Sequence, residues 1–482
     1  MTPPTPVTPA DSTSEIPLPF TGHHLATPKT MFIIVDSGMA IRNIIRTDLY
    51  RGLRASKNLR VVIFSPLMDD DFRKETGADG INVILEPLQK WRAGPLVKAL
   101  RSWRKDVWSE KHDLTRFKEK RSTGKGKLGR AIVYNLLLRD RSPGNIDRAY
   151  ARLTRWEQRR TPQLGAEFFD KYKPDLVFYS TIYSQNLALE YGAKQRGIKT
   201  CAYVVSWDNP TTKGPFPVRP DSAIIWNNIM RDELLHYHDF APHELFVSGP
   251  PQFDIYHDVA HFSPREDFFR RWNLDPNRRL ITHTTGTVQL FPREHECVED
   301  LYRKIVEGAF KQPCQLLLRL HPKHDYERFK RFENRPLLTL QLPGRRGKTD
   351  DLWNPSREDM YGLAETMYHS DVVVNQASTI TIDAACFDKP VVNVAYDGHA
   401  GLLPYAESCR RIYDFNHYKK IVETGGAQMT YNIEETVAAI QAYLDDPALH
   451  HEGRARILRE QCHYFDGRCG YRIAQYLIDQ LR

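Results

Sequence analysis

The sequence predicts an α/β protein made of two open units, each a parallel sheet with helices on both faces. Three observations carry this. Short apolar runs recur along the chain and alternate with segments of helical period. The runs are apolar throughout rather than every second residue, as in strands buried on both faces. A Gly249-Pro250-Pro251 turn and a polar stretch interrupt the alternation near the middle of the 482 residues.

The elements follow in order. Residues 1–28 are rich in Pro, Thr and Ser and predict a disordered tail. Strands are expected over 31–35, 61–65 and 82–85, with a helix over 40–53. The α/β pattern resumes with strands at 175–179, 200–205 and 222–226, and Phe246-Val247-Ser248-Gly249-Pro250-Pro251 closes the first domain. A helix over 184–196 ends at Gly197. Beyond the linker, strands are expected at 279–283 and 315–320 and a helix at 294–310. A Gly/Arg-rich loop spans 343–348. The stretch 370–396 then predicts a strand, a hydroxyl cluster, a short helix stopped by Lys389-Pro390, and another strand. Helices over 434–445 and 451–460 and one from Gly470, with Ile473, Tyr476 and Leu477 facing the core, end the chain. These elements predict a first domain over 29–255 and a second over 256–482.

The segment 91–160 departs from the pattern. It is dense in Lys and Arg and interleaves Trp91, Trp103, Trp108, Phe117 and Trp156, with a Gly/Lys loop at 122–129. One reading is a pair of solvated helices packed on the first domain. The sharper reading is an interfacial face for anionic lipid. No nucleic-acid motif occurs.

Composition narrows the class. An apolar fraction of 41% suits a folded core, and a net charge of +8 suits anionic substrates or membrane surfaces. The seven Cys form no CxxC pair, so reduced thiols in a cytoplasmic protein are expected. No apolar run is long enough to span a bilayer, and the N-terminus lacks a secretory pattern. Asp69-Asp70-Asp71 reads as a solvated loop, and His236, His238 and His243 as surface residues. No metal site is expected.

Several motifs carry a resemblance. Two α/β units joined by a Gly-Pro turn resemble the GT-B architecture, in which Rossmann-like domains face each other across a cleft. Arg319-Leu320-His321-Pro322 resembles the His-Pro motif of CDP-glycerol glycerophosphotransferases and of bacterial sialyl- and Kdo-transferases. Residues 371–392 resemble their strand–Ser/Thr–helix–Lys-Pro-Val element. Tyr413-Asp414-Phe415 and Phe465-Asp466-Gly467-Arg468, with Arg472-Ile473, look like the glycerophosphotransferase pattern. Residues 207–214 sit where that family has Trp-His-Gly before a Lys, but Asp208 stands in place of the His, which argues against glycerol phosphate as the group transferred. The match covers the chain from about 280 onward well and the first domain thinly.

The resemblance implies a glycosyltransferase whose nucleotide-activated donor is a substrate, with no resident cofactor. The acceptor would be a surface polysaccharide or a lipid-linked glycan, met at the inner membrane face by a peripheral cytoplasmic enzyme. Alternatives are a CDP-glycerol-type polyol-phosphate transferase, a nucleotide-sugar 2-epimerase, and a non-catalytic glycan-binding or scaffold protein.

The chemistry selects residues. A leaving nucleotide diphosphate gathers negative charge, which cations, hydroxyls and helix N-termini stabilise. His321, Arg319 and Lys323, at the end of an expected strand, are candidates. Ser378, Thr379 and Thr381 are candidate phosphate donors at a helix start, where they would also serve as caps. Asp383 suits a ribose hydroxyl or the helix dipole. Thr284, Thr285 and Gly286 follow the first strand of the second domain. The acceptor's proton needs a base. Asp208 is the first candidate and Asp36 the second, each also a plausible cap.

Overall fold

The apolar runs become the strands of two all-parallel sheets. The computed structural model describes residues 24–482 except 79, 89–90, 92, 113, 115–134, 136–138, 163–164, 181–187, 323–325, 345–352 and 402. The predicted tail up to residue 23, Phe117, the 122–129 loop, Lys323 and most of the Gly/Arg-rich loop lie outside the described residues.

The first sheet contains β1 (His24–Ile34), β2 (Lys57–Ser65), β3 (Val83–Pro87), β4 (Leu176–Tyr179), β5 (Lys199–Tyr203), β6 (Ser222–Ile225) and β7 (Leu245–Val247). Its order is β3-β2-β1-β4-β5-β6-β7. The second contains β8 (Arg279–Thr284), β9 (Cys314–Arg319), β10 (Leu338–Gln341), β11 (Val372–Asn375), β12 (Val391–Val394) and β13 (Gln428–Thr430). Its order is β10-β9-β8-β11-β12-β13. This is the GT-B arrangement expected from the sequence. In each sheet the order reverses beside the first strand, between β1 and β4 and between β8 and β11. Ligands of open α/β sheets gather beyond the carboxyl ends at such points.

Some local expectations give way. The edge strands β7, β10 and β13 were not foreseen, because each is only three or four residues long. The expected helix over 40–53 is broken. A π-turn over Ile41–Ile45 precedes the helix Asp48–Ala55. The helix from Glu294 stops at Val306, and Gly308 follows with φ +71°. Asp69 is a helix cap rather than solvated loop: its carboxylate accepts from Phe72 N at 2.9 Å. His238 is buried, not on the surface, and its Nε2 lies 2.8 Å from Pro210 O.

The basic segment folds as an antiparallel pair of helices, Pro95–Lys111 and Pro143–Arg160. Leu100, Val107, Ile146, Ala149 and Leu153 form their seam. Lys111 pairs with Asp147 at 3.0 Å at one end, and Arg101 with Glu157 at 2.6 Å toward the other. Glu157 is fully buried and also meets Arg104, 3.0 Å away. Arg104 donates to Phe216 O at 3.0 Å, which ties the pair to the first domain.

The last helix, Cys469–Asp479, crosses back onto the helix Asp48–Ala55. A Cβ at Gly470 would lie 2.6 Å from Leu49 N, so only glycine fits there. Asp254 of the linker caps this helix, accepting from Cys469 N at 3.0 Å and Gly470 N at 2.7 Å.

Candidate active site between the domains

The second sheet carries a polar row along its carboxyl edge. Register aligns Gln341, Arg319, Thr284, Asn375 and Asn393 across β10, β9, β8, β11 and β12. Aligned neighbours in parallel strands share a face. All but Arg319 are buried. Arg319 Nη1 donates to Gln341 Oε1 at 2.6 Å, and Gln341 Nε2 to Thr366 Oγ1 at 3.1 Å. Thr284 Oγ1 has no partner among the described residues.

Just beyond the row lie the expected loops. Thr285 Oγ1 accepts from His321 N at 2.8 Å, which joins the Thr284-Thr285-Gly286 loop to the His-Pro turn. Gly286 N donates to the buried Glu294 at 2.7 Å, and a Cβ at Gly286 would lie 2.3 Å from the Phe291 ring. After β11, Thr379 is exposed and Ser378 half-buried.

Two expectations fail here. Thr381 is not at the cleft. It is fully buried, and its Oγ1 lies 2.9 Å from Tyr418 Oη and 3.3 Å from Asn375 Nδ2, so it serves the core. The helix that follows, Ile380–Ala385, has only six residues. Its first amides are already used: Ile380 N donates to Ser378 Oγ, Thr381 N to Ser378 O and Ile382 N to Thr379 O. A free helix N-terminus for an anion does not form.

The cations converge instead in a small pocket between the domains, with a cavity volume of about 40 Å³. Arg42 enters from the first domain, Tyr256 from the linker, and Arg319 and Asp383 from the second. Tyr256 Oη donates to Asp383 Oδ1 at 2.5 Å. Burial pushes the Asp383 carboxyl up to about 6, although Tyr256, Arg42 and Arg319 favour its charge. Burial brings the Arg319 guanidinium down to about 10, still charged at neutral pH, and lowers Arg42 as well. Arg42, Tyr256 and Gln341 were not singled out in the sequence. No local pattern marks them; register and the meeting of the domains do.

Acids occupy the first-domain side. Ser206 donates to Asp208 Oδ1 at 2.5 Å, and Thr212 to Oδ2 at 2.6 Å. Burial alone would raise its pKa, but Lys213, His417 and the two hydroxyls hold it down at about 2. A carboxylate so stabilised is a weak base and a firm anchor. Asp36 is half-buried beyond β1. Near it Glu190 is fully buried, and neither of its carboxyl oxygens has a hydrogen-bond partner among the described residues. Burial, with Asp36 adding repulsion, pushes Glu190 up to about 8.

The cleft is closed on both flanks. On one, Trp207 Nε1 donates to Thr379 Oγ1 at 3.2 Å, and its ring centre lies 5.1 Å from that of His417. Lys420 pairs with Glu233 at 2.5 Å beside them. On the other, Gly38 abuts Trp353: a Cβ there would lie 1.4 Å from Trp353 O. The Arg42 guanidinium sits 5.4 Å from the Trp353 ring centre, and Arg46 donates to Pro355 O.

No protein-family model matches the chain, and no curated protein matches it. Solved structures do. A UDP-N-acetylglucosamine 2-epimerase aligns with a TM-score of 0.54 at 13% identity, covering 94% of this chain and 96% of its own. Staphylococcus aureus MnaA, solved with UDP, aligns at 0.53 and 12%, covering 94% and 97%. The Neisseria meningitidis UDP-GlcNAc 2-epimerase, solved with UDP-GlcNAc, aligns at 0.50 and 12%, covering 94% and 100%. At these identities the likeness establishes the two-domain GT-B fold. Among the described residues no helix is long and apolar enough to cross a membrane.

Proposed function

We propose that the chain is a glycosyltransferase that takes a sugar from a nucleotide-activated donor and passes it to a surface-polysaccharide or lipid-linked acceptor. One observation carries the reading. Arg42 and Arg319, from different domains, share a pocket at the polar edge of the second sheet. Two guanidiniums in one pocket, with Asp383 and Asp359 also on its lining, offer a diphosphate paired, charge-assisted donors. The hydroxyls of Thr284, Thr285, Ser378 and Thr379 follow β8 and β11 of the same domain as Arg319 and are further candidates for the diphosphate oxygens.

In this reading the bond from the anomeric carbon to the phosphate oxygen breaks, and its electron pair leaves on the nucleotide diphosphate. The acceptor oxygen bonds to that carbon, and its proton passes to a first-domain carboxylate. Asp36 and Asp208 are the candidates, and Asp208 is the weaker base because its charge is held by two hydroxyls and by Lys213 and His417. Asp208 then orients the Trp207 loop against Thr379.

A second reading, a nucleotide-sugar 2-epimerase, is favoured by the neighbours that bear that name and span nearly the whole chain. The two separate in one experiment. A thermal-shift panel of CMP, CDP, UDP, GDP and ADP, with Arg319→Gln alongside, identifies the nucleotide, because a ligand of the folded state raises its stability. The corresponding nucleotide sugar is then incubated without acceptor. Epimerised sugar assigns the second reading; consumption that requires a glycan acceptor assigns the first. No shift with any nucleotide removes both.

A further inference from the structure

The helix Pro143–Arg160 carries a surface that the cleft does not use. Arg148, Arg152, Arg155 and Arg159 follow one another at helical spacing and are all exposed. At 3.6 residues per turn they fall within an arc of about 60° and extend about 16 Å along the helix. None of the four forms an ion pair among the described residues. The acids nearby are engaged elsewhere. Asp147 pairs with Lys111 at 3.0 Å, Glu110 with Arg141 at 3.6 Å, and Glu157 is buried against Arg101 and Arg104. Asp140, beside Arg148, takes both hydrogen bonds of Ser142.

The tryptophans of the segment divide sharply. Trp108 is buried and donates to Tyr237 O at 2.7 Å, Trp103 packs on the helix seam, and Arg101 covers the Trp91 ring. Trp156 alone of these is left outside, 46% exposed, on the turn beside the arginines. Leu96, 48% exposed, lies toward the same end of the helix pair. A solvated helix face ordinarily mixes charge signs. This one gathers a single sign next to an aromatic ring.

We propose that this face docks the protein on an anionic phospholipid surface, with the four guanidiniums on headgroup phosphates and Trp156 in the interfacial layer. The docking goes beyond the nucleotide reading and fails separately from it, since nucleotide binding is measured without lipid.

The test floats the full-length protein with phosphatidylcholine vesicles, with and without phosphatidylglycerol, at low and high salt. The expected result is flotation with the anionic vesicles alone, reversed by salt. Each arginine near such a surface is worth about fivefold in partitioning. R148Q/R152Q/R155Q/R159Q should therefore lose at least about a hundredfold while melting at the wild-type temperature, since these side chains are exposed and form no ion pair among the described residues. Trp156→Ala should weaken flotation further. Failure to float with anionic vesicles at low salt overturns the proposal. Equal flotation of the quadruple variant does so too. So does binding of a soluble polyphosphate chain by a protein that ignores the vesicles, which would assign the stripe to a free polyanion.

Discussion

The two sheets share a strand order and differ at their carboxyl edges. In the first, register aligns Phe64, Ile34, Tyr179 and Ala202, all buried and largely apolar, with Glu86 at the rim. In the second, the equivalent layer is Gln341, Arg319, Thr284, Asn375 and Asn393. Burying polar groups costs free energy unless they are bonded. A fold that needed only stability would repeat the apolar layer. The polar layer therefore sets the second sheet apart, and in the proposed reading that sheet is the one that handles the nucleotide. The first domain keeps its polar chemistry one step further out, on the loops of Asp36 and Asp208 and on Glu190. The two walls thus differ in make-up, with Asp36, Asp208 and Arg42 on the first-domain side and Arg319, Asp383 and the hydroxyls on the second.

Breaking the asymmetry at its strongest point should have the largest effect. Arg42→Gln with Arg319→Gln is expected to lower nucleotide-dependent turnover by about 10²–10³-fold, the usual cost of losing a preorganised charge donor. In steady-state assays Ile34→Val, in the matching layer of the first sheet, should leave turnover unchanged. It should lower stability by about 0.5–1.5 kcal/mol in denaturant melts.

Glu190 tests the first-domain wall. Its folded-state pKa is raised to about 8 from an ordinary value near 4.5. The native state therefore holds the proton more tightly than the unfolded chain. The stability this supplies is complete below about 4.5 and is lost as pH rises through 8, with a slope of about 1.4 kcal/mol per pH unit. Glu190→Gln lacks that slope, so thermal melts should show it gaining on the wild type steadily from pH 5 to pH 8.

Thr381→Val should cost about 1 kcal/mol through the lost Tyr418 and Asn375 contacts, with nucleotide affinity unchanged by calorimetry. An affinity loss there would return Thr381 to the binding wall. The smallest effect belongs to Asp383. Because its pKa lies near 6, the pocket gains positive charge below that pH. Affinity for a nucleotide sugar should rise by less than about tenfold there, and Asp383→Asn should flatten the profile.

The architecture was legible because parallel strands buried on both faces leave unbroken apolar runs, as at 372–374 and 61–64. The weak edges β10 and β13 leave no such mark. Strand-end logic also located Thr284, Thr285, Arg319 and His321 at the carboxyl ends of β8 and β9, since topology alone fixes where a strand's last residues fall. It failed for Thr381, where a hydroxyl at a helix start turned inward toward Tyr418. The partners of Arg319 were invisible for a simpler reason. Arg42 and Tyr256 meet it only when the second domain folds against the first, and nothing local in either segment records that meeting.

The contact between Gly38 and Trp353 has a kinetic meaning. A Cβ at Gly38 would collide with Trp353 O, so the domains touch there with no room for one methyl group. If the proposed nucleotide enters by parting the domains at this seam, the observed binding rate should climb with concentration and then level off at the frequency of parting. Gly38→Ala would wedge the seam ajar: the plateau would vanish, and bound ligand would escape faster than it does from the native protein.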